Sequence, residues 1–180
     1  MVSTSSEPGI RALLLEAGAV RFGHFVLTSG ATSDVYVDVK LVWTRPGWLR
    51  TLGRALADRV GPAVDLLAGL ELGAVPLVVA VALETGLPYV VVRKPGRQHG
   101  TGRRIEGTVP PGARTLVLED VTTTGGSLAD TVAVLRAAGA RVNRALSVVD
   151  REQGGAARLA ADGVRLETLA TLAELRELRS

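Results

Sequence analysis

Cysteine is absent from the 180 residues, so disulfide bridges and thiolate nucleophiles have no part in this chain. Aromatic residues make up only 3%, which leaves the core to aliphatic side chains. Lysine is nearly missing as well: of 21 basic residues only Lys40 and Lys94 are lysines. A lysine within a basic cluster therefore stands out. Long apolar runs are lacking too. The longest, around Ala74 to Leu83, falls far short of the roughly 20 residues that span a bilayer. The opening MVSTSSEPG has no basic stretch followed by an apolar one, which argues against a secretory signal. The expectation is a cytoplasmic protein with no membrane partner.

Hydrophobic residues reach 47%, enough to exclude a disordered chain. The length suits a single domain, 1–180, with a real core. Net charge is +3 and the isoelectric point about 9.9, so a nucleic-acid partner has to be weighed. The arginines are scattered, however, apart from one cluster at Arg93, Lys94, Arg97, Arg103 and Arg104. No helix-turn-helix extension is visible, and no nucleic acid is expected.

Apolar positions set the elements. Ile10, Leu13, Leu14 and Ala17 follow helical spacing, with Gly18 placed to stop the helix. Val20 to Val39 alternates around Ser29-Gly30 and predicts a β-hairpin. Leu49, Leu52, Leu56 and Val60 mark a second helix. Beyond Gly61-Pro62, short apolar runs alternate with helical segments. Strands are predicted at 64–68, 89–92, 115–118, 145–149 and 164–169. Helices are predicted at 75–84 (closed by Gly86), 127–138 (closed by Gly139), 156–161 and 172–178. Continuous apolar strands separated by helices indicate a parallel sheet with helices on both faces. Ligands of such sheets bind beyond the carboxyl ends of the strands. The expected arrangement is an α/β core, 46–180, behind a small helix-and-hairpin hood, 1–45.

The segment from Leu116 to Ser127 carries the most chemistry. An apolar strand ends in two acids, Glu119 and Asp120, followed by Val121, Thr122, Thr123, Thr124, Gly125, Gly126 and Ser127, where a helix begins. Ser127 and Asp130 resemble a capping box. Glycines let backbone N–H groups turn inward, and a helix start carries partial positive charge, so a monophosphate fits. The acids would repel a phosphate placed on them, but they can accept hydrogen bonds from sugar hydroxyls. The loop therefore reads as a cradle for ribose 5-phosphate. A nucleoside-triphosphate loop (G-x-x-x-x-G-K-[ST]) and a dinucleotide fingerprint (G-x-G-x-x-G) are both missing. These residues resemble the phosphoribosyl pyrophosphate (PRPP) signature of the type I phosphoribosyltransferases.

A second segment, Val91 to Gly107, follows a strand and is rich in glycine and charge. Arg93, Lys94, Arg97 and His99 offer donors for a pyrophosphate. This loop resembles the R-K-x-x-K-x-H-G loop of the orotate phosphoribosyltransferases. Phe22 to Gly30 resembles their F-G-x-F-x-L-x-S-G element, Ser33 to Asp38 their base-pocket segment, and Val148 to Arg151 the strand end bearing an orotate-binding arginine. Gly69 to Pro76 and Gly139 to Leu146 are most similar to archaeal-type members.

The resemblance implies transfer of the phosphoribosyl group from PRPP to orotate, in pyrimidine (UMP) biosynthesis, on the type I phosphoribosyltransferase fold. It implies that Arg93, Lys94, Arg97 and His99 contact pyrophosphate. Glu119 to Ser127 would hold the ribose 5-phosphate, and Thr123 and Arg151 would contact orotate. Lys94, Asp120 and His99 are the residues placed nearest the chemistry. It also implies Mg2+ held mainly through PRPP rather than by a protein metal site, and a homodimer whose basic loop, 94–107, mobile when empty, reaches the neighbouring site. Three positions depart from the pattern: Thr28 and Gly73 stand where some members carry lysine, and Arg97 replaces a second loop lysine. A purine phosphoribosyltransferase would share the cradle but lacks His99-Gly100 together with the Phe22 to Asp38 segment. A PRPP-sensing nucleic-acid-binding regulator would share the basic charge.

Overall fold

The computed structural model describes residues 7–26, 32–94 and 103–178. The chain runs α1 (Glu7–Glu16), β1 (Val20–Val26), β2 (Thr32–Val37), α2 (Lys40–Trp43), α3 (Pro46–Ala57), β3 (Leu66–Leu70), α4 (Val75–Thr85) and β4 (Tyr89–Val92). It continues with β5 (Ile105–Glu106), β6 (Arg114–Thr122), α5 (Gly126–Ala137), β7 (Arg141–Asp150), α6 (Gly155–Ala161), β8 (Arg165–Thr171) and α7 (Leu172–Glu177). Strands β1 and β2 form the antiparallel hairpin anticipated from the alternation at 20–39. Its turn at Ser29-Gly30 lies outside the described residues, as does Thr28.

The other six strands form one sheet in the order β5-β4-β3-β6-β7-β8. All pairings are parallel except β4 with β5. Side chains alternate across it, as the pleat requires. Leu67, Leu116, Leu118, Leu146 and Val148 face one core with Leu14, Leu52, Leu56, Leu77 and Val81 of the hood and helices α3 and α4. Leu66, Ala68, Leu70, Val117 and Ala145 face a second core with Leu128, Val132 and Leu135 of α5 and Leu159 of α6. A strand with apolar residues on both faces is what made these segments read as continuous runs. Among the described residues no helix is long and apolar enough to cross a membrane.

Strands β6 and β7 extend past both ends of their predicted spans, because Arg114, Glu119 and Thr122 of β6 and Arg141, Arg144 and Asp150 of β7 stay in the ladder. Two elements had no signal at all. The single-turn α2 is too short for periodicity, and β5 is a two-residue return against β4. The return ties down both stems of the basic segment. The Arg93 N–H donates to the Arg104 carbonyl at 2.9 Å, and Arg104 Nε donates back to the Arg93 carbonyl at 2.9 Å.

The capping box expected at Ser127 and Asp130 is not formed. Helix α5 starts earlier, at a left-handed Gly125 (φ +75°), and has no side-chain cap. Asp130 instead pairs with Arg104 at 2.5 Å. A capping box does close the start of α7, between Thr171 and Glu174.

Leu116 is fully buried at the centre of the sheet. Leu116→Ala should cost about 2–5 kcal/mol of unfolding free energy, read from urea denaturation midpoints at unchanged slope.

Candidate active site

A cleft of about 420 Å³ opens at the carboxyl ends of β3, β4 and β6. Leu70, Glu71, Leu72 and Gly73 follow β3, and Lys94 follows β4. Glu119 to Ser127 come from the end of β6 and the start of α5, and Lys40 enters from the hood. The sheet brings them together because parallel strands all end on the same side.

The floor is acidic. Glu119 is buried, and its Oε1 accepts the Asp120 backbone N–H at 3.1 Å. Burial pushes the Glu119 carboxyl well above the usual carboxylate range. A hydrogen bond with the Asp120 side chain raises it further, while Lys94 opposes the rise. Asp120 is half-buried, and its Oδ1 accepts the Val121 N–H at 2.9 Å. The Asp120 carboxyl lies flat against Gly73: a Cβ on Gly73 would sit 2.1 Å from Oδ2. A larger residue at position 73 would therefore require the Asp120 carboxyl to move.

The far wall is built to hold an anion. Gly125 is left-handed, and a Cβ there would come within 3.0 Å of the Gly155 backbone, so only glycine lets the loop pack this closely. The first N–H groups of α5 have no side-chain cap, and Gly125, Gly126, Ser127 and Leu128 line the cleft. Uncapped helix N–H groups with the hydroxyls of Thr123, Thr124 and Ser127 beside them suit a phosphate. Thr122 Oγ1 is buried with no hydrogen-bond partner among the described residues.

The remaining expected residues are distributed differently. Arg93 does not line this cleft. Its guanidinium lies 3.2 Å from Glu106 and 3.9 Å from Glu71. Arg97 and His99 lie outside the described residues. Arg151 stands at the end of β7, beyond the cleft lining; its N–H donates to the Thr122 carbonyl at 2.9 Å. Its side chain reaches Ser33 Oγ of the hairpin at 3.1 Å, and its buried Nε has no partner among the described residues. An orphaned guanidinium N–H between β7 and the hairpin suits a carboxylate-bearing ring. Lys40 was given no role by the sequence reading. Its only signal was rarity, since both lysines of the chain reach the cleft.

The comparisons agree with this geometry. The family described as "Phosphoribosyl transferase domain" matches residues 49–167. The chain is 51% identical over 162 residues to orotate phosphoribosyltransferase of Natronomonas pharaonis, covering 90% of this chain and 92% of the relative. The chain belongs to the orotate phosphoribosyltransferase family. The crystal structure of the orotate phosphoribosyltransferase from Aeropyrum pernix superposes with a TM-score of 0.84 at 36% identity, covering 94% of this chain and 97% of that one. The Mycobacterium tuberculosis orotate phosphoribosyltransferase in complex with PRPP gives 0.78 at 30% identity, covering 94% and 98%. This family member carries the fold of these relatives, with Gly73 at the turn after β3.

The acid pair makes a signed prediction. A carboxyl raised above its ordinary 4.5 in the folded state favours folding while protonated and loses that contribution as pH rises through the folded value. Glu119→Gln keeps the neutral form at every pH. Its melting temperature relative to wild type should therefore climb as pH increases above 4.5 and then level off. A gap independent of pH in a calorimetric series would remove the buried-acid assignment.

Proposed function

We propose that the chain transfers the 5-phosphoribosyl group from PRPP to orotate, giving orotidine 5′-monophosphate and pyrophosphate, as a step of pyrimidine (UMP) biosynthesis. The observation that carries the proposal is the uncapped start of α5 facing the Glu119-Asp120 pair across one cleft. A ligand satisfying both must carry a phosphate at one end and hydroxyls or developing positive charge at the other.

The 5-phosphate sits on the N–H groups of Gly125 to Ser127, with hydroxyls from Thr123, Thr124 and Ser127. Asp120, and Glu119 behind it, face the ribose ring. Lys94, next to Glu71 at the β3 turn, is placed for the departing pyrophosphate. Its backbone N–H is fixed by Glu71 Oε1 at 3.0 Å, which holds the start of the basic loop at the cleft. Arg97 and His99 complete that side, and Arg93 joins it by leaving Glu71 and Glu106. Orotate lies between Thr123 and Arg151, its carboxylate on the free guanidinium edge. Its N1 attacks C1 from the face opposite the leaving group, the C1–O electrons go with pyrophosphate, and the anomeric centre inverts. The cationic character that builds at C1 is stabilised by Asp120.

Two neighbouring carboxyl groups beside a phosphate cradle match a hard divalent cation held largely by substrate oxygens. Asp120 is the acid placed to face magnesium arriving with PRPP, and the ion would neutralise charge on the diphosphate. Among the described residues no group of three or more His, Cys, Asp or Glu could hold a metal by itself. The assignment extends to one catalytic domain, 1–180, working in the cytoplasm as a homodimer whose basic loop reaches the partner's site. Closure of that loop would exclude water that otherwise hydrolyses PRPP.

The decisive assay is loss of orotate absorbance on mixing with PRPP and magnesium. Turnover with adenine or another purine but not with orotate would reassign the base. Lys94→Ala should lower turnover by more than about tenfold, equivalent to ~1.4 kcal/mol of transition-state stabilisation. A change within about threefold would remove Lys94 from the leaving-group site.

A further inference from the structure

Lys40 opens the short helix α2 directly after the hairpin. Its backbone N–H donates to Asp38 Oδ1 at 3.1 Å, and its ammonium lies 2.6 Å from the same oxygen. The ammonium is half exposed and lines the cleft with Glu71, Leu72, Gly73, Lys94 and Asp120. Among the described residues it is the one cation the hood contributes to that lining.

The turn after β3 brings no cation to this end of the cleft. Gly73 has no side chain, and any added Cβ would run into the Asp120 carboxyl. Glu71 brings negative charge, already shared between the Lys94 N–H and the Arg93 guanidinium. With Asp120 and Asp38 nearby, this end is rich in carboxylates until a cation is added from elsewhere. A diphosphate placed here would meet Lys94 on one side and Lys40 on the other.

We infer that Lys40 is a PRPP-binding residue, whose ammonium leaves Asp38 to bind the diphosphate at the Gly73 end of the cleft and so supplies from the hood the cation that the β3 turn does not. This rests on the functional reading above. The Lys40 ammonium is half exposed while Asp38 is mostly covered, and Asp38 keeps the Lys40 backbone N–H as a partner when the ammonium leaves. Asp38, and more weakly Asp120, raise the proton affinity of Lys40, so the ammonium is charged before substrate arrives. Asp38 serves as a parking site that keeps the ammonium at the cleft mouth.

The test titrates magnesium-PRPP and magnesium-pyrophosphate into wild type, Lys40→Gln, Lys40→Arg and the remote charge control Arg141→Gln, with steady-state kinetics against PRPP and orotate. Loss of one charge-assisted contact should weaken PRPP and pyrophosphate by about tenfold or more in Lys40→Gln. The KM for orotate should stay within about twofold, because the contact is made to the other substrate. Lys40→Arg should recover part of the loss, and Arg141→Gln should match wild type. Unchanged PRPP affinity in Lys40→Gln overturns the inference. So does a loss shared equally by PRPP and orotate together with a lowered melting temperature, which would mark a purely structural role in the hood. Wild type that binds PRPP without consuming orotate overturns the substrate reading alone, and the Lys40 titration still decides this one. Wild type that binds neither PRPP nor pyrophosphate overturns both.

Discussion

Two carboxyl groups share the end of one central strand, with the uncapped start of a helix a few residues further on. This constraint organises the molecule. Glu119 meets it by being buried, where its neutral form is favoured and can hydrogen-bond to Asp120. Asp120 meets it by lying against a backbone with no side chain, at Gly73. The start of α5 follows at a left-handed Gly125 packed against Gly155, and its first residues line the same cleft as the acid pair.

The parallel sheet is what makes these local solutions additive. Strands β3, β4 and β6 end side by side, so three loops distant in sequence deliver a turn, a basic stem and the Thr-Gly segment to one place. The double-sided packing holds their ends in register. Leucines on one face meet α3 and α4, and the opposite face meets α5 and α6. The hood then closes the cleft from outside the sheet, through Lys40 at its mouth and Ser33 against Arg151.

Much of this was legible in the residues. Apolar helices with a closing glycine, such as Val75–Thr85 before Gly86, emerged within a residue or so. The acid pair and the Thr-Gly loop lie in one continuous segment, and both line one cleft as adjacent residues should. What escaped were features whose partners are distant. The single turn of α2 and the two-residue β5 are too short to leave a period. Ser127 and Asp130 had the spacing of a cap, yet Arg104, 26 residues away, takes the carboxylate. Arg93 sat in a cluster that read as one donor set, but Glu71 and Glu106 hold its guanidinium.

The sequence by itself determined the fold class and the family and set the acid pair beside the Thr-Gly segment, because each is written in contiguous residues with strong local preferences. Tertiary structure alone decided which charges meet. Lys40 and Asp120 are 80 positions apart, and Gly73 and Asp120 are 47 apart; both relations exist only because strand ends and hood converge. Coulombic and steric contacts act through space at a few ångströms, and no pattern along the chain encodes that distance.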